Sequence, residues 1–482
     1  MIVGVLGIST LPLPVLIVAI GGLVVAVGTL IEPGVGLIVT LLVGPWAAWM
    51  NTYYPGVLPI DLGQIMVAFT LGAWLLRGLA RRAVTIPASP LLVPLVIFVG
   101  WAALSMVWAR DLAFGLPEVL KWVEVIALMW FSIDLASRYR ARRRGVKWIV
   151  VAVLATMVVQ ALIGLYEARL RGTGPLGFQI GEGVYRAYGT FEQPNPFGGF
   201  IGLGLPIAVA LVTYYVIRTA YCVINRHPLR SARYEVRITH YASLFICGIT
   251  ACLLALALYL SLSRGAWLGA AAAVGAMIVF APRRRWMGLG LAGVAVVALI
   301  GLSSAGLLPA TISDRLADAT DLLDIRDVRG VPINDANYAL IERQAHWQAA
   351  LNMLSDHPWT GVGFSNYQPM YEQYRLLNWP MPLGHAHNIY LNVAAETGLP
   401  GLAAYLLVWG TVFGVTLRTI RRAAGLPRAL AIGLLGVWVH LSVHMLVDNL
   451  YVNNTHLLIG VLFGLLTVLD TTRRPQNTLL VS

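Results

Sequence analysis

Charged residues are scarce in this sequence: Asp, Glu, Lys and Arg together make up 12% of its 482 residues. Soluble domains carry about 25%, so the shortage excludes an ordinary soluble enzyme. It also excludes a disordered chain and a long coiled coil, because both depend on abundant charged and polar residues. Lysine is nearly absent, with only Lys121 and Lys147, so the net charge of +12 comes almost entirely from arginine.

Cysteine is scarce as well. Cys222, Cys247 and Cys252 lie in or near apolar segments and lack the spacing of metal ligands, so we expect neither a disulfide framework nor a cysteine metal site. Residues 1–10 also lack the basic start and the small-residue cleavage site of a secretory signal. We therefore expect the first apolar segment to remain as a membrane span.

Apolar residues, in contrast, make up 58% of the sequence, and the mean hydropathy is +0.74. A helix crosses a bilayer with about 20 apolar residues. The sequence therefore predicts an all-α polytopic integral membrane protein with twelve or thirteen transmembrane helices. The candidate segments lie at about 12–30, 34–50, 62–80, 90–108, 116–136, 147–166, 197–217, 240–260, 266–282, 286–304, 398–417, 429–447 and 455–470.

The arginines predict how these segments are oriented. They cluster in every second gap, after the third, fifth, seventh, ninth and eleventh segments and at the C-terminus. The positive-inside rule makes these gaps cytoplasmic. Because the positive charge is explained by membrane orientation, we expect no nucleic acid partner. Thirteen spans would place the N-terminus outside and twelve would place it inside, and the sequence leaves both open.

The chain divides into three predicted regions: helices one to ten in 1–304, an extracytoplasmic loop in 305–397, and the last helices with a short cytoplasmic tail in 398–482. Within the loop, apolar residues recur at helical spacing in 312–325 and 338–355, which predicts two amphipathic helices over the mouth of the bundle. They would form either a packed lid without chemistry or part of a site.

Two polar clusters on the predicted outer side suit an anion. Arg264 lies in the short turn 261–265, beside two serines, and a guanidinium matches a phosphate well; alternatively, it reaches the interface from a span end. Arg186 precedes the segment 188–200, which contains Asn195 and several prolines and glycines. Backbone N–H groups left free at the start of the following helix would bind an anion, although a plain loop would have the same sequence.

Two further clusters contain histidine. His385 and His387 precede a stretch in which Asn388, Asn392 and Glu396 share one helix face. This pattern indicates a base or an orienting group, a metal site for which no third ligand is near in sequence, or a structural cluster. His440, His444 and Asp448 have the same spacing in the twelfth segment. They indicate a proton path or a polar seam between helices, and the seam is favoured for His440.

Taken together, these motifs resemble the O-antigen ligase and Wzy polymerase family. The resemblance covers residues of about 180–470, with the motifs in the family's order. It rests on RAYGTFEQPNPFGG (186–199), SLSRGAWLG (261–269), HPWTGVGFSNY (357–367), GHAHNIYLNVAAETGLPG (384–401) and VDNLY (447–451).

The resemblance implies a function. Members of this family move a glycan from undecaprenyl diphosphate to an acceptor hydroxyl on the outer side of the bacterial inner membrane. They need no cofactor, neither a nucleotide sugar nor a metal, because the lipid diphosphate is already an activated leaving group. The implied partners are the lipid-linked glycan donor, membrane lipid, and an acceptor that is a glycan, a lipid or a protein.

The resemblance also implies roles for particular residues. His387 would be the base, and Arg186 and Arg264 would hold the diphosphate. Asn388 and Glu396 would orient the histidine or the acceptor. The additional His385 leaves open which histidine acts, and Asp448, His444 and Asn195 are supporting candidates. Physical chemistry agrees, because fixed positive groups stabilise a leaving diphosphate and a hydroxyl needs a base.

Two other functional classes stay open at this point. A lipid or anion transporter would place charges near the midplane, within broken helices of repeated halves, and the sequence shows neither pattern clearly. A structural assembly protein would use none of these polar clusters for chemistry.

Overall fold

The computed structural model describes residues 13–57, 60–82, 87–138, 142–224, 234–307, 327–334 and 337–471. The described chain is mostly helical, and its two strands, β1 (Gln179–Gly181) and β2 (Val184–Tyr185), form a short antiparallel hairpin. The helices are α1 (Leu13–Ile31), α2 (Pro33–Val43), α3 (Ala47–Tyr53), α4 (Leu62–Ala80), α5 (Leu92–Ser105), α6 (Leu112–Arg138), α7 (Arg142–Arg169), α8 (Pro194–Ile224), α9 (Tyr234–Ser261), α10 (Arg264–Phe280), α11 (Arg285–Ser304), α12 (Tyr338–Asp356), α13 (Tyr367–Tyr374), α14 (Ile389–Arg422), α15 (Gly425–His444) and α16 (Thr455–Asp470).

Each predicted apolar segment coincides with one of these helices, or with α2 and α3 together. Eight helices in the described part of the chain are long and apolar enough to cross a membrane. Four more apolar helices are shorter, and they include α10 and α16. The prediction of an all-α polytopic membrane protein is therefore confirmed. The choice between twelve and thirteen spans, and the side of the N-terminus, stay predictions.

Helix α15 lies at the centre of the bundle, packed against α8 and α10. Glycines permit this close approach, since a Cβ atom at Gly202 of α8 would lie 2.0 Å from the ring of His440. Next to them, α16 packs against α6 and is buried along nearly its whole length. Because α8, α10 and α14 begin at the end of the bundle where α15 finishes, four helix ends meet there.

The described part of the predicted outer loop, residues 327–334 and 337–397, covers this end. Helix α12 confirms that 338–355 is helical, and it packs on α14. Its buried face differs from the predicted apolar stripe, because polar Gln344 and His346 are buried while Leu351 is exposed. Trp347, in the middle of α12, is 2% exposed. The other predicted amphipathic helix, 312–325, lies outside the described residues.

Candidate active site

A tight turn between α9 and α10 positions the first arginine. Leu262 adopts a left-handed backbone conformation with φ of 50°, which reverses the chain direction. The hydroxyl of Ser263 then accepts the N–H of Ala266 at 3.4 Å and caps α10. Arg264 is consequently the first residue of α10 and stands at its N-terminal end.

The second arginine lies against the same turn. The Nε of Arg186 donates to the carbonyl of Ser261 at 2.9 Å, and its Nη2 donates to Oδ1 of Asn195 at 3.2 Å. Asn195 stands in the first turn of α8, so these two contacts join the loop before α8 to the start of α10. The structure thus brings together Arg186, Asn195 and Arg264, although they come from two separate sequence clusters.

The beginnings of α8 and α10 are also close in space. A Cβ atom at Gly198 would lie 2.7 Å from the hydroxyl of Ser261 and 3.1 Å from Cβ of Ala266. The N-terminal end of a helix carries unpaired N–H groups and a partial positive charge of about half a unit. Two such ends beside two guanidinium groups make this region favourable for a phosphate.

His387 approaches from the predicted outer loop and is paired with a carboxylate. Its Nδ1 lies 3.5 Å from Oδ1 of Asp448. Burial alone would raise the pKa of the Asp448 carboxyl, but the imidazoles of His387, His385 and His444 outweigh burial and hold that pKa below its usual range. Asp448 is therefore a carboxylate at neutral pH. Because its Nδ1 faces that carboxylate, His387 keeps Nε2 for another partner.

The backbone of His387 is held in an uncommon conformation, with φ of 51°. Its N–H donates to Nδ1 of His385 at 3.1 Å, and its carbonyl accepts the indole N–H of Trp347 at 3.4 Å. A left-handed conformation at a non-glycine residue costs about 1–3 kcal/mol and persists only where the surroundings enforce it. The contacts of His385 and Trp347 therefore fix where the ring of His387 lies.

His385 is adjacent but chemically different. The two imidazole rings lie 4.4 Å apart. Burial, together with the charges of His387 and Arg343, lowers the pKa of His385 to about 3. His385 is thus neutral near pH 7 and a weak base. His385, His387 and Asp448 offer ligand atoms within 4.8 Å of one another, so these three side chains could also hold a metal ion.

Asn388 and Glu396 contact the backbone. The side-chain oxygen of Asn388 accepts the N–H groups of Tyr390 and Leu391 at 3.0 and 3.1 Å, and this caps α14. Oε1 of Glu396, two turns further along α14, accepts the N–H of Tyr367 at 3.2 Å. Both side chains hold the frame around the histidines: Asn388 as the N-cap of α14, with an extended backbone, and Glu396 from within the helix.

A break in α14 joins two of the sequence motifs. Gly398 has φ of 69°, and the carbonyls of Ala395 and Glu396 accept the N–H groups of Val362 and Gly363, both at 2.9 Å. A Cβ atom at Gly398 would lie 2.6 Å from the carbonyl carbon of Trp359. The Gly-Val-Gly loop therefore crosses the helix at a point where only glycine fits.

His440 and His444 lie below this site in α15, and both are buried. Nε2 of His440 donates to the carbonyl of Gly199 at 3.1 Å, which joins α15 to the first turns of α8. His444 stands one turn closer to the site, where a Cβ atom at Gly265 would lie 2.6 Å from its ring. Gly265 follows Arg264, so His444 packs directly beneath the arginine turn.

One charged residue of the site, Arg343 of α12, is not among the residues predicted from the sequence. Arg343 stands one turn before Trp347 and therefore on the same helix face. The charge of Arg343 acts on Asp448, Arg264, His385 and His444, and burial lowers the pKa of its guanidinium. The available signal was a lone arginine in line with the buried face of a predicted amphipathic helix.

His346 of α12 is the second missed residue. Its ring lies 5.8 Å from the ring of His387, and it stacks on Tyr371 at 4.7 Å. Nδ1 of His346 bonds the hydroxyl of Tyr367 at 2.8 Å. Burial, with the charges of His387 and His385, lowers the pKa of His346 to about 3. His346 is thus a neutral packing group that connects α12 to α13.

A cavity of 300 Å³ opens beside His385. Its polar lining includes the amides of Asn392, Asn449 and Asn453 and the ion pair of Glu118 with Lys121, and its apolar lining includes the rings of Phe98, Trp122, Phe364 and Tyr451. Flat aromatic faces next to amides form a surface that suits a hydroxyl-rich ring. This cavity offers room for a small group next to His385, and His387 is not part of its lining.

Residues 249–406 match the family described as O-antigen ligase, which confirms the resemblance seen in the sequence. The match covers a third of the chain and includes Arg264, Arg343, His385 and His387; Arg186 and Asp448 lie outside it. No curated protein matches the chain. The family implies glycan transfer of the O-antigen ligase or polymerase type.

Proposed function

From the O-antigen ligase domain and the geometry of the site, we propose that this protein transfers a glycan from undecaprenyl diphosphate to an acceptor hydroxyl on the outer side of the bacterial inner membrane. The observation that carries the proposal is the pairing of His387 with Asp448 at the arginine-rich end of α10. A base and a diphosphate site are the two elements that this reaction requires.

His387 acts as the base. The carboxylate of Asp448, at 3.5 Å, favours the tautomer with a proton on Nδ1 and stabilises the imidazolium that forms. Nε2 then takes the proton of the acceptor hydroxyl as its oxygen attacks the anomeric carbon of the donor sugar. General-base assistance of this kind contributes about 100- to 10,000-fold.

Arginines hold the leaving group. As the new glycosidic bond forms, the bond between the anomeric carbon and the phosphate oxygen breaks, and its electron pair leaves with undecaprenyl diphosphate. Arg264 and Arg343 stand where that charge develops, and Arg186 and Asn195 support the turn that carries Arg264. Fixed donors in a site poor in water are worth a few kcal/mol each. The starts of α8 and α10 add positive potential.

The cavity of 300 Å³ beside His385 receives a sugar ring. Trp122 and Tyr451 supply aromatic faces, and Asn392 and Asn449 supply amide groups that bond hydroxyls. His385 contributes as a neutral group that accepts the N–H of His387 and holds its backbone. Asn388 and Glu396 act further out, by holding the start of α14 and the loop beside it.

No cofactor enters this scheme, because the diphosphate of the donor supplies the leaving group. Metal binding by His385, His387 and Asp448 would occupy the proposed base. Metal dependence would therefore contradict the mechanism, and addition of a chelator to the purified protein is the simple control.

The first experiment uses a strain of the host bacterium that lacks this gene and carries variants of it. We expect His387→Ala and Arg264→Ala each to abolish the surface glycan seen on gels, while the protein still appears in membranes. Arg81→Ala is the matched control, because Arg81 is an exposed arginine at the other end of the bundle. Full activity of both site variants would contradict the mechanism.

The gel also separates the two activities in this family. Loss of attached long chains with free polymer left over indicates a ligase, whereas attachment of a single repeat unit indicates a polymerase.

A transporter predicts a third result. Vesicles containing the purified protein would move the lipid-linked donor across the membrane without forming any glycosidic bond, and that result would overturn the proposal.

A further inference from the structure

Two adjoining cavities lie at the end of the bundle opposite to the active site. The larger one measures 510 Å³ and opens between α8, α10 and α15. Most of its lining is aliphatic or aromatic, as at Ile217, Val274 and Met277, and the lining also includes three arginines: Arg218, Arg283 and Arg428. The larger cavity therefore combines a mostly apolar lining with three positively charged side chains.

The smaller cavity measures 260 Å³ and shares two of these arginines, Arg283 and Arg428. Arg285 and Arg421 complete its basic lining, together with Phe280 and Ile420. Among the described residues that line either cavity, none is an aspartate or a glutamate. Five arginines therefore converge on one small region, and no described residue in its walls carries a carboxylate.

Neutral groups hold several of these arginines in place. Arg428 donates to the carbonyls of Ala281 and Ile420 at 2.8 and 3.2 Å, at the ends of α10 and α14. Arg285 lies 5.4 Å from the centroid of the Phe280 ring, and Arg218 is 3.4 Å from the hydroxyl of Tyr214. These contacts orient the guanidinium groups without neutralising their positive charge.

The combination fits one class of ligand. A soluble anion would use the arginines and leave the apolar lining unused, and a neutral lipid would do the reverse. A phospholipid with an anionic headgroup uses both, because its acyl chain fills the larger cavity and its phosphate meets the guanidinium groups. The positive-inside rule places this end at the cytoplasmic leaflet, where anionic lipids are concentrated.

We propose that the groove between α8, α10 and α15 binds an anionic diacyl phospholipid of the cytoplasmic leaflet, with its phosphate on Arg283 and Arg218 and one acyl chain along Val274. The same three helices carry Asn195, Arg264 and His444 at their other ends. Bound lipid would therefore stabilise the frame of the active site from the opposite end.

The test uses the full-length protein purified in a neutral detergent. Phosphatidylglycerol is added and compared with phosphatidylcholine of the same acyl chains and with inorganic phosphate. We expect phosphatidylglycerol to raise the midpoint of thermal unfolding by about 3 °C or more, and the other two to leave it unchanged. An equal rise with phosphatidylcholine, or a rise with inorganic phosphate alone, would overturn the proposal.

Variants locate the effect. Arg283 and Arg218 are exposed, so the double variant Arg283→Gln/Arg218→Gln should fold and lose the rise. Val274→Trp should fill the larger cavity and abolish the rise in the unfolding midpoint without any change of charge. This variant should fold, because Val274 is 44% exposed. Arg81→Gln is the control and should show the same rise in the unfolding midpoint as the wild type. Native mass spectrometry of each variant gives a second reading, and phosphatidylglycerol retained by the double variant would contradict the assignment.

Discussion

At the residue scale, the site depends on two histidines that differ in their surroundings. His387 pairs with the carboxylate of Asp448, whereas His385 accepts a backbone N–H, and at His385 burial and the charges of His387 and Arg343 outweigh the effect of the same carboxylate on the pKa. A base is most effective when its pKa lies near the working pH. The pKa of about 3 for His385 therefore argues against it as the base and leaves it a positioning role.

We accordingly expect His387→Gln and His385→Gln to differ. His387→Gln removes the base and should lower kcat for glycan transfer by about 100-fold or more. His385→Gln keeps a hydrogen-bond acceptor near the backbone of His387 and should lower kcat by less than about tenfold. The rates are measured with purified protein and a lipid diphosphate donor. The reverse order of the two losses would show that His385 is the base.

Arg343 gives a second prediction at this scale. Its charge acts on Arg264 and Asp448 from the outer loop. We expect Arg343→Gln to weaken donor binding and to raise KM for the lipid-linked donor by about tenfold, since a charge-assisted contact to phosphate is lost.

Arg329→Gln is the control for Arg343. Arg329 also belongs to the described outer loop, but its side chain is 74% exposed and pairs with Asp327. The Arg329 variant should keep the wild-type KM. An unchanged KM in the Arg343 variant would remove this arginine from the diphosphate site.

At the element scale, the break in α14 brings two motifs into contact, residues 357–367 and residues 384–401. The sequence shows only the order of these motifs along the chain. The loop around Gly361 pairs with the carbonyls of Ala395 and Glu396 because Gly398 interrupts the helix there. Local sequence predicts that a helix begins after His387 and is interrupted at Gly398 and Pro400. It does not predict which loop occupies the break, because that contact joins segments about thirty-five residues apart.

The break supplies a prediction about stability. Gly398→Ala places a side chain where φ is 69° and where Trp359 is already in contact, so it should cost at least about 2 kcal/mol of unfolding free energy. Gly410→Ala is the matched control, since Gly410 lies in the same helix with open space around it. Thermal unfolding in detergent compares them, and equal midpoints would contradict the account of the break.

Sequence predicted the helices better than the site. Apolar segments locate spans because the bilayer demands apolar length, and the periodicity of 338–355 located α12. Periodicity shows that Arg343 lies in line with Trp347, but not that this face meets His387. Likewise, Arg186 and the segment after it indicated an anion site. The contact of Arg186 with the carbonyl of Ser261 depends on tertiary packing, which the local sequence does not show.

At the scale of the whole molecule, the two ends of the bundle differ in chemistry. The arginine-rich cavities lie at one end, and the paired histidines and arginines of the proposed active site lie at the other. The same helices, α8, α10 and α15, run between these ends. Their packing around His440 therefore sets the geometry of both regions.

Acid stability is a property of the whole fold that follows from its buried histidines. The pKa of His346 and of His385 is about 3 in the folded protein and about 6.5 in an unfolded chain. As the pH falls below about 6.5, the unfolded state takes up protons that the folded state does not. Stability is therefore complete above that pH and decreases towards pH 3, by about 1.4 kcal/mol per pH unit for each histidine.

We expect the unfolding midpoint of the wild type to fall between pH 7 and pH 4.5, and that of His346→Gln to fall less steeply. Glutamine does not titrate and can still bond the hydroxyl of Tyr367. The measurement is thermal unfolding of both proteins across this range in one detergent. A steeper fall in the variant would show that His346 is protonated in the folded state.

The central claim, that His387 and Asp448 act as one unit in glycan transfer, is tested most directly by a double-mutant cycle. Transfer rates are compared for wild type, Asp448→Asn, His387→Gln and the double variant. We predict that Asp448→Asn lowers kcat by about 100-fold, with KM for the donor little changed, and that the double variant is no slower than His387→Gln alone. Losses that simply multiply, or an Asp448→Asn protein as fast as wild type, would contradict it.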